Sequence, residues 1–256
     1  MLATTKANEN DFPLYLFHQG KNAEAGKFFG AHAFKRGRGS YHRFRVWAPT
    51  AKSVSVIGEF NQWDRTQNPM EKISDTVWEV VIPKLKQFDL YKYSIETQNG
   101  QILEKSDPYA VHFETRPGTA SKLFESSYQW EDAAWMQQRK KWIPYKEPMN
   151  IYEVHLGSWK TNPNDPNGWY RYEELAPLLI AYAKKNGYNY IECMPLSEHP
   201  ADCSWGYQNT GFYSPTARYG DMDGLKKFVD LCHRSGIGVI MDFVPVHFAA
   251  NADALA

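Results

Sequence analysis

The sequence has no excess of charge of either sign, since 29 lysine and arginine residues balance 29 aspartate and glutamate residues in a chain of 256. This balance does not favour a nucleic acid or a membrane surface as a partner. The sequence has only three cysteines, without metal or redox spacing, which favours reduced thiols in the cytoplasm. A secretory leader and any apolar run of membrane-spanning length are missing. We therefore expect a cytoplasmic protein without a metal or another cofactor.

Short strands separated by turns are indicated in the first half of the chain. Residues 91–96 alternate between apolar and polar side chains, which is the period of a strand with one wet face. The density of such segments predicts a β-sandwich over residues 37–120, preceded by an apolar lead-in segment over residues 1–36. We expect Trp47 and Trp63 to anchor the core of this sandwich.

The pattern changes after a polar connector over residues 121–147. A strand, a helix over 174–186, a second strand, a helix over 221–235 capped by Asp221 and a third strand over 238–244 follow in that order. This alternation indicates parallel strands with helical crossovers. Residues 148–256 are thus predicted to form the first three β-strands and two helices of an incomplete (β/α)8 TIM barrel. Because the third strand would leave an open edge, we expect the barrel to be truncated.

Three side chains are predicted to project to one rim of this barrel, because function sits at the carboxyl ends of its strands and in the loops after them. Asp242 lies near the end of the third strand, His247 just beyond it, and Tyr207 in the long loop after the second strand. An aspartate in an apolar strand needs pairing or hydrogen bonds. The residues alone leave structural and functional interpretations of all three open.

Motifs along nearly the whole chain resemble the α-amylase superfamily and, within it, the glycogen (1,4-α-glucan) branching enzymes. In the barrel part they are YEVHLGSW (152–159), MPLSEHP (194–200), SWGYQ (204–208) and GIGVIMDFVPVHF (236–248). In the first half they are LFHQG (16–20), RVWAP (45–49), GEFNQWD (58–64) and DPYA (107–110).

The resemblance implies an immunoglobulin-like, carbohydrate-binding-type module before the catalytic barrel, and an α-glucan such as glycogen, amylose or a maltooligosaccharide as substrate. Tyr207 would form the aromatic platform under the glucose unit at the cleavage point, and His247 would hydrogen-bond its hydroxyl groups. Asp242 would support the catalytic centre without being the nucleophile. Trp205 and Gln208 would add further contacts to the substrate.

The family's reaction is a retaining double displacement: an aspartate attacks the anomeric carbon, a glutamate protonates the leaving oxygen, and a 6-hydroxyl of another glucan replaces water. Neither carboxylate matches a position in this chain, so the resemblance implies that the chain alone is inactive. A debranching or trehalose-releasing hydrolase of the same superfamily and a non-catalytic glucan-binding fragment stay open as alternatives. Glucan binding by the β-sandwich and the oligomeric state are open as well.

Overall fold

The computed structural model describes residues 10–255; the first nine residues of the predicted lead-in segment, and Ala256, lie outside them. The first part of the chain is a sandwich of two antiparallel sheets, and the second part contains a three-stranded parallel sheet with helical crossovers. This order confirms the predicted fold class, a β-sandwich followed by the opening strands of a TIM barrel that is not closed within the described residues.

The sandwich is built from eight short strands. They are β1 (Gly30–Arg36), β2 (Gly39–Trp47), β3 (Ser53–Gly58), β4 (Glu71–Lys72), β5 (Val77–Pro83), β6 (Leu90–Glu96), β7 (Ile102–Lys105) and β8 (Ser121–Lys122). One sheet has the order β1-β2-β5-β4 and the other the order β3-β6-β7, with β8 paired to β6. Alternation along the strands buries Phe44 and Val46 of β2 in one core with Tyr91 and Tyr93 of β6.

Two tryptophans that were expected in this core are exposed instead, so that expectation is wrong. Trp47 is 50% exposed and Trp63 is 39% exposed. Trp47 follows the inward-facing Val46, so the period of two turns it to the outer face of the sheet. Trp63 lies in a left-handed turn with φ of 61°. The buried tryptophan is Trp78, whose Nε1 donates to the carbonyl of Ala48 at 3.0 Å.

The sandwich extends beyond the predicted limits of residues 37 and 120. β1 lies within the predicted lead-in segment, yet its seven residues all pair with β2. β8 lies in the predicted connector, yet Ser121 pairs with Tyr91 of β6. Each predicted limit therefore separates a strand from its neighbour in the same sheet. The glycines near residue 37 belong to the hairpin turn that joins β1 to β2.

Two short helices flank the sandwich, α1 (Asp11–His18) and α2 (Ala25–Phe28), and a third, α3 (Ala133–Arg139), follows it. The first two pack on the sandwich, where Leu14 and Phe28 form a small buried cluster with Val77 of β5. α3 lies in the predicted connector, next to the α/β unit.

The α/β unit contains eight elements. They are β9 (Ile151–Val154), α4 (Leu156–Trp159), α5 (Tyr172–Lys185), β10 (Tyr190–Cys193), β11 (Ser197–Glu198), β12 (Gly211–Pro215), α6 (Met222–Arg234) and β13 (Gly238–Met241). β9, β10 and β13 are parallel, with β10 between the other two. Leu179 of α5 and Phe228 of α6 are fully buried with Ile191 of β10. Asp221 caps α6 as predicted, since its side chain accepts a hydrogen bond from the backbone N–H of Gly224 at 2.9 Å.

Contacts of both the connector and the sandwich with the α/β unit hold the two parts together. The hydroxyl of Tyr128 donates to Asp230 of α6 at 2.8 Å, and the backbone N–H of Glu131 donates to the same carboxylate at 3.0 Å. Tyr109 of the sandwich part stacks on Tyr213 of β12 with ring centroids 5.4 Å apart. Of the helices in residues 10–255, none is long and apolar enough to cross a membrane.

Candidate functional site

The loop between β10 and β12 and the segment after β13 meet at the carboxyl ends of the parallel strands. β10 and β13 run side by side in parallel, so the chain leaves both of them at the same edge of the sheet. β13 ends at Met241, three residues earlier than predicted, which makes Asp242 the first residue after the strand. The backbone N–H of Asp242 donates to the carbonyl of Cys193 at 3.0 Å, so its position is tied to the end of β10.

Two of the predicted site residues are in direct contact. The hydroxyl of Tyr207 donates a hydrogen bond to Oδ2 of the half-buried Asp242, with 2.8 Å between the two oxygens. This bond raises the pKa of Tyr207 above its usual value, and partial burial and the nearby Glu153 and Glu192 act in the same direction. Tyr207 therefore stays a neutral phenol that donates to a carboxylate. Together the two groups present an aromatic ring beside a negative charge.

A buried asparagine joins the two segments that carry this pair. Asn209 is 1% exposed; its backbone N–H donates to the carbonyl of His247 at 3.1 Å, and its side-chain amide donates to the carbonyl of Val244 at 2.9 Å. The carbonyl of Asn209 accepts from the backbone N–H of Ala249 at 3.1 Å. The loop after β10 and the segment after β13 thus form one continuous rim.

The other predicted site residues lie apart from the Tyr207–Asp242 pair. His247 and Gln208 are on the rim with exposed side chains, and in the described part of the chain no hydrogen bond links either side chain to the pair. Trp205 is 56% exposed and faces His155, with ring centroids 6.3 Å apart. The structure therefore places Trp205 against the loop that follows β9.

A network of four charged side chains supports the loop before Trp205. Arg218 donates to Glu198 at 2.9 Å and to Asp202 at 2.8 Å, and Arg116 of the sandwich part donates to Asp202 at 3.0 Å. Burial raises the pKa of Asp202, but the hydrogen bonds from Arg218 and Arg116 outweigh it and hold this pKa below its usual value. Asp202 therefore links Arg116 of the sandwich part to the buried Arg218, which supports the loop that carries Trp205.

Neither Arg218 nor Arg116 was predicted from the sequence to belong to the site. Glu198 is buried and therefore needs a partner, but its neighbours Ser197 and His199 are polar, so the sequence did not mark it as a buried carboxylate. Arg116 gave no signal, since its contact depends on how the two parts of the chain meet. Among residues 10–255, no group of three or more histidine, cysteine, aspartate and glutamate side chains is arranged to hold a metal ion.

Comparison with known proteins defines the class to which the two parts of the chain correspond. Residues 28–110 match the family described as carbohydrate-binding module 48 (isoamylase N-terminal domain), and residues 179–255 match the α-amylase catalytic domain. The crystal structure of a putative α-amylase from Salmonella typhimurium superposes with a TM-score of 0.66 and 23% identity, covering 88% of this chain and 34% of that one. The chain therefore joins a carbohydrate-binding module to part of an α-amylase catalytic domain.

Three relatives at higher identity are named 1,4-alpha-glucan branching enzyme GlgB. That of Bacillus caldolyticus is 45% identical over 97% of this chain, that of Halothermothrix orenii 48% over 96%, and that of Bacillus subtilis 45% over 94%. The chain spans 37%, 39% and 39% of the lengths of these three relatives. These similarities confirm the resemblance to the N-terminal portion of the glycogen branching enzymes.

Proposed function

We propose that this chain forms the sugar-holding rim of a 1,4-α-glucan branching enzyme of glycogen biosynthesis. In the reaction proposed for the whole protein, an α-1,4 bond is cleaved and the released chain is transferred to a 6-hydroxyl group, which creates an α-1,6 branch. The observation that carries the proposal is the hydrogen bond between Tyr207 and Asp242 at the carboxyl ends of β10 and β13, in a chain whose similarity to branching enzymes covers nearly its whole length.

The Tyr207–Asp242 bond explains how this rim would hold a sugar ring. A tyrosine ring fixed at its hydroxyl loses little conformational freedom when a glucose unit stacks on it, so less of the binding free energy is spent on ordering the site. Asp242 then has one oxygen engaged by Tyr207 and serves as a supporting charge rather than as the nucleophile. His247, Gln208 and Trp205 are proposed to contact further hydroxyl groups and rings of the glucan.

The two carboxylates that break the bond in a retaining double displacement are not assigned to any of the 256 residues. For these residues by themselves we propose glucan binding without turnover, and the match to a carbohydrate-binding module supports this role. A debranching hydrolase would share the fold but release free sugar instead of forming α-1,6 bonds. We expect the protein to act in the cytoplasm, where a reduced thiol set is stable.

A chimera tests the proposed reaction. This chain replaces the matching part of the Bacillus subtilis branching enzyme, with which it is 45% identical over 244 residues. Incubation with amylose is followed by counting α-1,6 linkages, as chain ends released by a debranching enzyme, and newly formed reducing ends. We expect α-1,6 linkages with few new reducing ends. A folded chimera that forms reducing ends without α-1,6 linkages would favour the hydrolase instead, while one that forms neither would contradict the proposal.

A further inference from the structure

A cavity lies beside the rim, next to the part of the loop after β10 that carries Trp205. It has a volume of about 290 Å³, which is at the lower end of the range for small-molecule sites. Its walls include the rings of Trp205 and Trp169 and the polar groups of His155, His199, Asp202 and Arg218. Neither Tyr207 nor Asp242 lines it.

The charges around this cavity compensate one another. Glu198 accepts hydrogen bonds from Arg218, from the hydroxyl of Thr216 and from two backbone N–H groups, a set of donors that fits the ionised carboxylate. Asp202 accepts from both Arg116 and Arg218. Two guanidinium groups are therefore balanced by two carboxylates. The formal charges of these four groups sum to zero, and Nη2 of Arg218 is a buried donor without a hydrogen-bond partner.

The two histidines of the cavity are neutral at neutral pH. Burial lowers the pKa of His199 to about 4, and the nearby Arg218 acts in the same direction; burial also lowers the pKa of His155. Nδ1 of His199 donates to the carbonyl of Ser197 at 2.9 Å, which leaves Nε2 as the acceptor of the ring. Nδ1 of His155 contacts the hydroxyl of Ser158 at 2.8 Å. The lining thus combines two uncharged imidazole rings and the aromatic rings of two tryptophans with Asp202 and Arg218, whose charges are paired with each other.

The backbone at Trp205, which ends the short helical turn Asp202–Ser204, is left-handed. Its φ is 52° and its ψ is 26°, in the left-handed region that disfavours a bulky side chain. The ring is 56% exposed, so burial of the ring does not offset this strain. Gly206 follows with φ of 88°, and a Cβ there would lie 2.3 Å from the carbonyl oxygen of Pro195. The turn is therefore fixed, and it holds an aromatic ring at the mouth of the cavity.

We propose that this cavity is a second glucosyl-binding site, which takes one unit of a neutral α-1,4-glucan chain through stacking on Trp205 and through sugar hydroxyl groups that donate hydrogen bonds to Nε2 of His199 and to Asp202 and contact His155. The choice of an α-glucan as ligand rests on the proposed function. The site is separate from the Tyr207–Asp242 pair but shares its loop, so one glucan chain can contact both. Flat aromatic rings with uncharged polar groups suit a sugar better than a phosphate or a carboxylate.

Cys203 provides a local probe of this site in the chain as it stands. It lines the cavity and is exposed, whereas Cys193 and Cys232 are buried. The rate at which Cys203 reacts with Ellman's reagent is measured at increasing concentrations of maltoheptaose. We expect the rate to fall about tenfold when the maltoheptaose concentration is about ten times its Kd. Cellohexaose, which has β-1,4 bonds, should leave the rate unchanged.

Two tryptophan variants make the test specific. Trp205→Gly removes the ring and relieves the backbone strain, so we expect a folded protein whose half-protecting maltoheptaose concentration is raised about tenfold or more. Trp47→Ala removes an equally exposed ring on the sandwich and should leave the protection of Cys203 unchanged. Unprotected Cys203 in the unaltered chain, equal protection by cellohexaose, or full protection in Trp205→Gly would each overturn the second site. Whether the chimera branches amylose is a separate result, so the two proposals fail independently.

Discussion

The charged network around Asp202 offers a matched pair of substitutions, because one buried and one exposed arginine donate to the same carboxylate. Arg218 and Arg116 both donate to Asp202, and both lie over the ring of Trp169, at 5.8 Å and 5.5 Å from its centroid. The side chain of Arg218 is 2% exposed and that of Arg116 is 41% exposed. Burial and the additional contact of Arg218 with Glu198 therefore separate the two expected effects.

Arg218→Ala should lower the free energy of unfolding by about 3–5 kcal/mol, because it leaves a buried carboxylate without its cation. Glu198, whose side chain is 7% exposed, loses its ion pair, and the carbonyl of His199 loses a donor at 2.8 Å. Arg116→Ala should cost about 1 kcal/mol or less, because its ion pair with Asp202 is open to solvent on both sides.

Urea titration followed by far-ultraviolet circular dichroism gives both free energies. The loss caused by Arg218→Ala should shrink as the pH falls below 7. Burial already raises the pKa of Glu198 above its usual value, and removing the arginine raises it further. A carboxyl with a raised pKa in the folded state stabilises at low pH and destabilises as the pH rises through that pKa. Equal losses for the two variants, or a loss for Arg218→Ala that grows towards low pH, would refute this reasoning.

Three further predictions concern the rest of the chain. Trp78→Ala should lower the free energy of unfolding by about 3–5 kcal/mol, and Trp47→Ala should lower it by about 1 kcal/mol or less. Equal losses for the two variants in urea titration would contradict this prediction. Burial raises the pKa of Asp107. The free energy of unfolding of the unaltered protein should therefore fall relative to that of Asp107→Asn as the pH rises above about 4. A difference between the two proteins that does not change with pH would contradict this prediction. Ellman's reagent should find one fast thiol, Cys203, in the folded protein and all three after unfolding; a second fast thiol would contradict the burial of the others.

The order of elements in the α/β unit was predictable because it depends on local periodicity. The apolar side chains of α6 recur at helical spacing, and Asp221 marks its start, so the helix was predicted to within one residue at each end. The expectation that Tyr207 and Asp242 share one rim rests on the same information, because two neighbouring parallel strands release their chains at one edge, whereas their direct hydrogen bond was not predicted.

Features that depend on the meeting of distant segments could not be predicted. Arg116 and Asp202 are 86 positions apart, and their contact exists only when the sandwich and the barrel strands are packed together. The exposure of Trp47 and Trp63 was not predicted, because their motifs suggested core residues. The period of the strand places Trp47 on the outer face of its sheet, and a left-handed turn leaves Trp63 exposed. Neither composition nor periodicity predicts the left-handed backbone at Trp205.

The most direct test of the central claim, that Tyr207 belongs to a sugar-holding rim of a branching enzyme, is kcat/KM for amylose branching by the Bacillus subtilis chimera carrying Tyr207→Ala. The matched control is Tyr145→Ala, which removes a ring that is 95% exposed in the connector. We expect Tyr207→Ala to lower kcat/KM about thirtyfold or more, for a loss of about 2 kcal/mol, and Tyr145→Ala to leave it unchanged. A Tyr207→Ala chimera that folds and branches amylose as well as the control would contradict the account.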